Sequence, residues 1–200
     1  NYEGGGISFN SGVQAKLLQG DRGRITAKHI EENINADYDW LTHTALVCLE
    51  NTVNRAGGSF YDLETIKQIK QVCNKHHLPL HLDGARIFNA IVENNYTTQD
   101  IGRQFDSVSI CLSKGLGAPV GSLLLGTKPF IKKARRVRKV FGGGMRQAGF
   151  LAAAGIYALD NNITRLKEDH TRAKELGKLL SSLPYVESVM RVDTNIVIFN

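Results

Sequence analysis

The chain has 200 residues, of which 42% are hydrophobic and 22% are charged, a composition typical of a globular protein and not of a disordered one. No apolar run is long enough to span a bilayer, so no membrane partner is expected. Lysine and arginine total 25 against 19 for aspartate and glutamate, which gives a net charge of +6.

Amphipathic segments and apolar runs alternate from residue 26 to residue 159. The segments with helical periodicity begin after Thr26 and after Asp62 and then cover residues 85–92, 130–141 and 147–159. The apolar runs that predict strands are 45–50, 80–82, 106–112 and 120–125. Strands separated by helices in this way predict an α/β fold, with a mainly parallel sheet and helices on both faces.

The pattern changes towards the end of the chain. Residues 164–180 predict a long charged helix, and residues 187–192 and 195–199 predict two strands after Pro184. We therefore expect a large domain at 1–160, followed at 161–200 by a linking helix and the start of a small α+β C-terminal domain. Because the chain starts abruptly and stops inside a predicted strand, we expect an internal piece of a longer protein that lacks the N-terminal part of the large domain.

Much of the positive charge lies in one segment, at Lys132, Lys133, Arg135, Arg136, Arg138 and Lys139. Phe130, Ala134, Val137 and Phe141 interrupt it at spacings of four, three and four, which predicts a helix with a buried apolar stripe and charges on its outer faces. The segment lacks the interleaved aromatic residues that stack on bases, so nucleic acid is not an expected partner. An anionic cofactor or substrate explains the local excess of cations equally well.

The three cysteines, Cys48, Cys73 and Cys111, are an odd number without the spacing of metal ligands. This pattern predicts free thiols and no metal site. Because free thiols are typical of reducing compartments, we expect a cytoplasmic protein.

Ionisable side chains follow three of the predicted strands at the point where each strand ends. Glu50, Asp83 and the pair Ser113-Lys114 occupy these positions, and the carboxyl ends of parallel strands meet at one edge of a sheet. Gly115 and Gly117 let the backbone turn tightly after Lys114. A lysine and a carboxylate in this arrangement suit pyridoxal phosphate, with Lys114 forming the Schiff base and Asp83 contacting the pyridinium nitrogen. The alternative for Lys114 is an exposed lysine in a glycine turn.

Two arginines and a histidine complete the candidate site. Arg86 offers a planar fork for a carboxylate, unless Asp83 caps the following helix and pairs with Arg86 on the surface. Arg146 follows three glycines and is expected to open a helix, which suits a phosphate group, whereas the alternative is a solvated loop arginine. His81 alternates with leucines on its strand, so it either faces the site or forms a hydrogen bond in the core.

Several segments in the same order resemble the low-specificity L-threonine aldolases, which are pyridoxal phosphate lyases of the aspartate-aminotransferase-like fold and of the β-eliminating lyase superfamily. They are Glu50-Asn51-Thr52, Arg55-Ala56-Gly57-Gly58, residues 81–90, the residues around Lys114, and Gly142-Gly143-Gly144-Met145-Arg146-Gln147. The resemblance extends over nearly the whole chain. It implies cleavage of L-threonine or L-allo-threonine to glycine and acetaldehyde.

The resemblance also implies the role of each candidate residue. Lys114 would bind the cofactor covalently, Asp83 would contact its ring nitrogen, and Arg86 would lie near the substrate carboxylate. Arg146 would contact the phosphate across a subunit boundary, since the family members are homotetramers. Lys139 falls in a segment that the family also places near the site.

The chain departs from the family pattern at two places near the first predicted strand. Val53 stands where the family often has a histidine, and Asp39-Trp40-Leu41 stands where it often has another. Because histidines commonly transfer protons, the resemblance does not assign the base that takes the β-hydroxyl proton. Two alternatives therefore stay open: another pyridoxal lyase or aminotransferase of the same fold, and an inactive scaffold.

Overall fold

A computed structural model describes residues 3–94 and 96–200 of the chain. The strands are β1 (Val47–Glu50), β2 (Leu80–Asp83), β3 (Ser107–Cys111) and β4 (Ser122–Gly126). The helices are α1 (Gly6–Ser11), α2 (Ala27–Glu31), α3 (Leu63–Lys75), α4 (Ile87–Glu93), α5 (Thr98–Gly102), α6 (Lys128–Val140), α7 (Gly149–Asn161) and α8 (Leu166–Ser181). Among the described residues, no helix combines the length and the apolar character that crossing a bilayer requires.

The strands form one sheet in the order β1-β2-β3-β4, in which the first three are parallel and β4 is antiparallel to β3. Thr26 and Asp62 cap α2 and α3 as predicted, since each side chain accepts a hydrogen bond from a backbone N–H of the first turn. The α/β fold with a mainly parallel sheet is confirmed.

Side chains along each strand alternate between two faces of the sheet. One face, here called the covered face, is apolar and buried, and it consists of Val47, Leu49, Leu80, Leu82, Val108 and Ile110. These residues form one core cluster with Ile66 and Ile69 of α3 and with Ala90 of α4. The β-branched and leucine side chains therefore hold the helices against the sheet through the hydrophobic effect.

The opposite face, here called the open face, is polar and partly or fully exposed. It consists of Cys48, Glu50, His81, Asp83, Ser107, Ser109 and Cys111. Gly126 of β4 pairs with Ser107, and the Phe130 ring lies 2.6 Å from the position that a Cβ atom of Gly126 would occupy. Helix α6 therefore begins on the open face, so helices lie on both faces of the sheet as expected.

The predicted buried stripe of the basic helix is wrong for the described chain. Helix α6 forms where expected, but Phe130, Val137 and Phe141 are 40%, 52% and 61% exposed. The reason is that α6 mainly contacts β4, which is itself exposed along its whole length. The apolar spacing indicated the helix correctly, although it could not indicate what covers the apolar side.

The two strands predicted at 187–192 and 195–199 are also wrong. The segment makes one isolated antiparallel bridge between Val189 and Phe199, with backbone hydrogen bonds on either side of it. Regular pairing stops because the intervening residues turn away to contact the loop after β1. The Asp193 N–H donates to the Gly57 carbonyl at 3.4 Å, and the Thr194 hydroxyl donates to the Gly58 carbonyl at 2.9 Å.

Arg22 joins the same two segments. Its guanidinium donates to the Asp193 carboxylate at 2.5 Å, to the Ala56 carbonyl at 2.8 Å and to the Arg191 carbonyl at 2.9 Å. A Cβ atom at Gly58 would lie 2.0 Å from the Thr194 hydroxyl, and Gly58 has a φ of +69°. Only glycine fits there, so residues 190–194 are fixed closely against the loop.

Ile69 provides a test of the core. Its side chain is 0% exposed and lies between α3 and the sheet, so Ile69→Ala should lower the free energy of unfolding by about 2–5 kcal/mol through lost burial and the cavity left behind. Urea denaturation of the full-length protein measures this change. The neighbouring exposed residue provides the control, and Gln68→Ala should change the free energy by less than about 0.5 kcal/mol. Equal effects of the two substitutions would contradict the placement of α3.

Candidate active site

The ends of the three parallel strands place the candidate residues at one edge of the sheet. Asp83 is the last residue of β2, and its neighbours in register are Glu50, the last residue of β1, and Ser109 of β3. Lys114 follows three residues after Cys111, where β3 ends. Asp83 and Lys114 therefore leave adjacent strands at the same edge, which is where ligands bind in open α/β sheets.

The loop that carries Lys114 is held firmly by its own neighbours. Leu112, Leu116 and Ala118 are buried, and the Ala118 N–H donates to the Leu112 carbonyl at 3.0 Å. The side-chain amide of Asn162 donates to the Leu116 carbonyl at 2.7 Å. The Lys114 side chain is exposed, so its amine is accessible on a backbone that burial and hydrogen bonds hold in place.

The glycines of this loop serve two different purposes. Gly117 has a φ of +76°, and its N–H donates to the Lys114 carbonyl at 2.8 Å, so it forms the predicted tight turn. A Cβ atom at Gly115 would lie 2.8 Å from the Leu166 Cδ2 atom, at the start of α8. Gly115 therefore allows close packing of α8 beneath the loop.

Asp83 lies exposed on the open face with a defined orientation. Its Oδ1 atom accepts a hydrogen bond from the Ala85 N–H at 3.1 Å. Helix α4 begins only at Ile87 and has no side-chain cap, so Asp83 does not cap it. Among the described residues, neither Asp83 nor Lys114 has an ion-pair partner within 4.0 Å, which leaves both charges available to a ligand.

His81 lies on the open face together with Asp83 and also forms a hydrogen bond. Its Nδ1 atom is 2.8 Å from the Ser107 hydroxyl on the next strand. Partial burial lowers the pKa of the imidazole below its ordinary value, although Asp83 and the Ser107 contact act in the opposite direction. His81 is therefore a neutral imidazole at pH 7 beside the candidate site.

The three remaining candidates lie around two loops. Arg86 is half-buried between Asp83 and α4, while Arg146 is exposed between α6 and α7. Helix α7 begins at Gly149 and not at the predicted residue 147, so Arg146 precedes the helix by three residues. The Lys139 Cδ atom lies 2.8 Å from the position of a Cβ atom at Gly144, which places Lys139 against the loop that contains Arg146. No hydrogen bond or ion pair of the described residues joins this loop to Asp83 or Lys114.

Glu50 and the two residues after it stabilise the turn that follows β1 and the backbone of Asp83. The Glu50 carboxylate accepts a hydrogen bond from the Asn54 N–H at 3.0 Å and so closes the turn after β1. The Asn51 N–H donates to the Asp83 carbonyl at 2.9 Å, and both Asn51 and Thr52 are 1% exposed. This contact, which sequence spacing could not indicate, fixes the backbone of Asp83.

These side chains fit pyridoxal phosphate by their chemistry. The exposed amine of Lys114 can bind a carbonyl, and the oriented carboxylate of Asp83 can bind a protonated ring nitrogen. The guanidinium groups of Arg86 and Arg146 are suited to carboxylate and phosphate oxygens. The glycine at 84 is also required, because a Cβ atom there would lie 2.8 Å from the Ser109 carbonyl oxygen.

Comparison with known proteins identifies similar sequences. The chain is 43% identical over 197 residues to the low specificity L-threonine aldolase of Escherichia coli strain K12, a match that covers 98% of this chain and 58% of that protein. It is 40% identical over 200 residues to low-specificity L-threonine aldolase 1 of Arabidopsis thaliana, with 98% and 56% covered. The chain thus spans little more than half the length of these relatives.

The fold and the family agree with these similarities. The chain superposes on the threonine aldolase structure of Leishmania major with a TM-score of 0.83 at 21% identity, covering 99% of this chain and 58% of that one. The family described as beta-eliminating lyase matches all of residues 1–200. The chain therefore belongs to the beta-eliminating lyase family.

Proposed function

We propose that this protein is a lyase that uses pyridoxal phosphate to cleave L-threonine or L-allo-threonine into glycine and acetaldehyde. The proposal is supported by the names of the relatives, which are threonine aldolases, and by membership of the beta-eliminating lyase family. The observation that supports it most directly is the position of Asp83 and Lys114, which follow adjacent parallel strands at one edge of the sheet.

The proposal assigns specific roles to four of the candidate residues and a general one to the other two. Lys114 binds the cofactor carbonyl, Asp83 the ring nitrogen and Arg146 the phosphate, while Arg86 binds the substrate carboxylate. His81 and Lys139 are further contacts of the cofactor or the substrate. When bound, the cofactor supplies the electron sink for the Cα–Cβ bond that breaks.

The residues of the chain contribute orientation and charge to the reaction. The loop at 112–118 is fixed by burial and hydrogen bonds, so the approach of the Lys114 amine is organised before the substrate binds. The Asp83 carboxylate would contact the protonated ring nitrogen of the bound cofactor. Val53, which is buried, and Trp40 and Leu41, which are exposed, cannot accept the β-hydroxyl proton, so the proposal does not assign the base.

The proposal also covers the domain organisation, the oligomeric state and the cellular location of the protein. We assign residues 1–160 to the cofactor-binding domain and residues 161–200 to a linking helix and the start of a smaller domain. We assign a homotetramer, supported by the exposed apolar side chains of β4 and α6, which are typical of surfaces that a partner covers. The free thiols of Cys48, Cys73 and Cys111 support a cytoplasmic location.

Lys114→Ala should abolish cleavage of L-threonine, because no other group on the fixed loop supplies the amine. The assay measures acetaldehyde formation by the full-length protein. Lys178→Ala is the matched control, since Lys178 is an exposed lysine in the last turn of α8 and should leave the rate unchanged. Near-normal activity of the Lys114 variant would refute the assigned role.

The substrate and the reaction type are tested in the same assay. We expect acetaldehyde from L-threonine to form faster than pyruvate from L-serine, because the first product reports aldol cleavage and the second reports β-elimination. The reverse order would favour another pyridoxal lyase of this fold. Absence of both products, together with absence of cofactor absorbance, would favour an inactive scaffold.

Asp83→Asn should lower kcat by roughly a hundredfold or more, because a neutral amide cannot stabilise a protonated ring nitrogen as a carboxylate does. The substitution preserves the size of the side chain and its acceptor for the Ala85 N–H. Steady-state kinetics with L-threonine measure the effect. Asp160→Asn, which changes an exposed carboxylate in α7, should leave kcat unchanged, and equal kcat values for the two variants would exclude a charge effect at Asp83.

A further inference from the structure

A buried polar network joins α4 to α8 behind the candidate site. His170 of α8 is 1% exposed and lies between two residues of α4 that are one helical turn apart. Its Nε2 atom is 2.9 Å from the Asn89 amide nitrogen, and its Nδ1 atom is 2.5 Å from the Glu93 carboxylate. Both ring nitrogens therefore have a partner, as buried polar groups require.

The partners determine the protonation state of the ring. An amide nitrogen can only donate, so the Nε2 atom of His170 accepts and the Nδ1–H group donates to Glu93. Burial lowers the pKa of His170 below its ordinary value, against the opposing effect of Glu93. The other charges that face the ring are Lys174, whose Nζ atom is 3.4 Å from both Glu93 oxygens, and the adjacent Asp169. The ring is thus neutral at pH 7 beside an ionised Glu93.

This network lies directly beneath the loop that carries Lys114. The Asn89 Oδ1 atom is 3.9 Å from the position of a Cβ atom at Gly115. Leu166, one turn before His170 on the same side of α8, is 2.8 Å from that position. Gly115, which follows Lys114 in sequence, therefore packs closely over Leu166, and Asn89, which His170 orients, lies near the same position.

We propose that His170 is a positioning residue for Lys114, because its two hydrogen bonds fix α4 against α8 and hold Asn89 and Leu166 under the 112–118 loop. The inference rests on the proposed function only in treating Lys114 as the reacting amine. An apolar residue in place of His170 could fill the space, but it would leave the Asn89 amide without its acceptor and free to turn. The main contribution of the network is therefore to orient the Asn89 side chain, and not to bury apolar surface.

The network should be sensitive to acid. A proton added to the Nε2 atom of His170 would place an N–H group against the amide N–H of Asn89, and these two donors repel each other. Because the folded-state pKa of His170 is lowered, the unfolded chain takes up the proton first. The stabilisation is therefore present above the ordinary value of 6.5 and is lost as the pH falls below it.

The test is His170→Leu in the full-length protein with its cofactor, followed by hydrogen exchange of the backbone amides. We expect exchange in residues 112–118 to become roughly tenfold faster, whereas exchange in α3 stays unchanged. If His170 only stabilised the fold as a whole, its replacement would instead speed up exchange in both residues 112–118 and α3. We also expect kcat to fall between about tenfold and a hundredfold with little change in KM, since a small displacement of the reacting amine is costly.

Two nearby substitutions provide matched controls. Thr171→Ala changes the next residue of α8, whose exposed hydroxyl donates to the Lys167 carbonyl. Lys174→Ala removes the exposed ammonium group that contacts the Glu93 carboxylate. Both variants should keep the loop exchange of the parent protein. The unfolding free energy of the parent should fall as the pH is lowered below 6.5, and His170→Leu should remove that part of the pH dependence.

Unchanged exchange in residues 112–118 of the His170→Leu variant would overturn the inference. If this variant does not fold, Asn89→Ala provides the test. It keeps the hydrogen bond between His170 and Glu93 and removes the hydrogen bond between Asn89 and His170, which lies on the side of Gly115. Unchanged loop exchange in Asn89→Ala would then overturn it equally. Hydrogen exchange is measured without substrate, so a parent protein that forms no acetaldehyde would refute the proposed function alone.

Discussion

The parallel pairing of β1, β2 and β3 is the constraint on which the candidate site depends. The register places Glu50 beside Asp83 and Asp83 beside Ser109, so the ends of the strands coincide. A slip of β2 by one residue would turn Asp83 to the covered face and expose Leu82 to water. The burial of Leu49, Leu82 and Val108 therefore secures the direction of the carboxylate. The hydrophobic core and the polar candidate site both follow from the alternation of side chains between the two faces of the strands.

The site combines a rigid backbone with exposed functional groups. The Lys114 loop is held from behind by buried leucines and by the amide of Asn162, while its amine points to solvent. The backbone of Asp83 is also held in place. The Asn51 N–H donates to its carbonyl, and the Ala85 N–H donates to its carboxylate. The backbone of each candidate residue is thus held in place, while its side-chain carboxylate or amine is exposed to solvent. Such preorganisation reduces the entropy that a reaction must otherwise lose when its groups are aligned.

Local patterns in the sequence predict much of the fold. Capping residues and helical periodicity located α2, α3 and α6, and short apolar runs located the four strands to within a few residues. The strand ends also predicted that Asp83 and Lys114 share an edge. These successes have one cause, since the period of apolar residues directly reflects which side of an element is buried.

Contacts between distant residues could not be predicted in the same way. Periodicity indicates that a face is apolar but not what covers it, which is why the stripe of α6 and the two C-terminal strands were wrong. His170 was also missed, although Leu166, His170, Ala173 and Gly177 follow the spacing of four, three and four that marks a buried side of α8. That spacing predicts a buried histidine, but its partners on α4 depend on how the two helices pack.

The contact between residues 190–194 and the glycines after β1 has a mechanical consequence. The ion pair of Arg22 with Asp193 and the hydrogen bond from Thr194 to Gly58 hold this segment against the loop after β1. The segment packs so closely there that a side chain at Gly57 or Gly58 would not fit. Residues 185–200 are therefore connected to the loop after β1 as well as to α8, so the turn at Pro184 is not the only connection between this segment and the rest of the described chain.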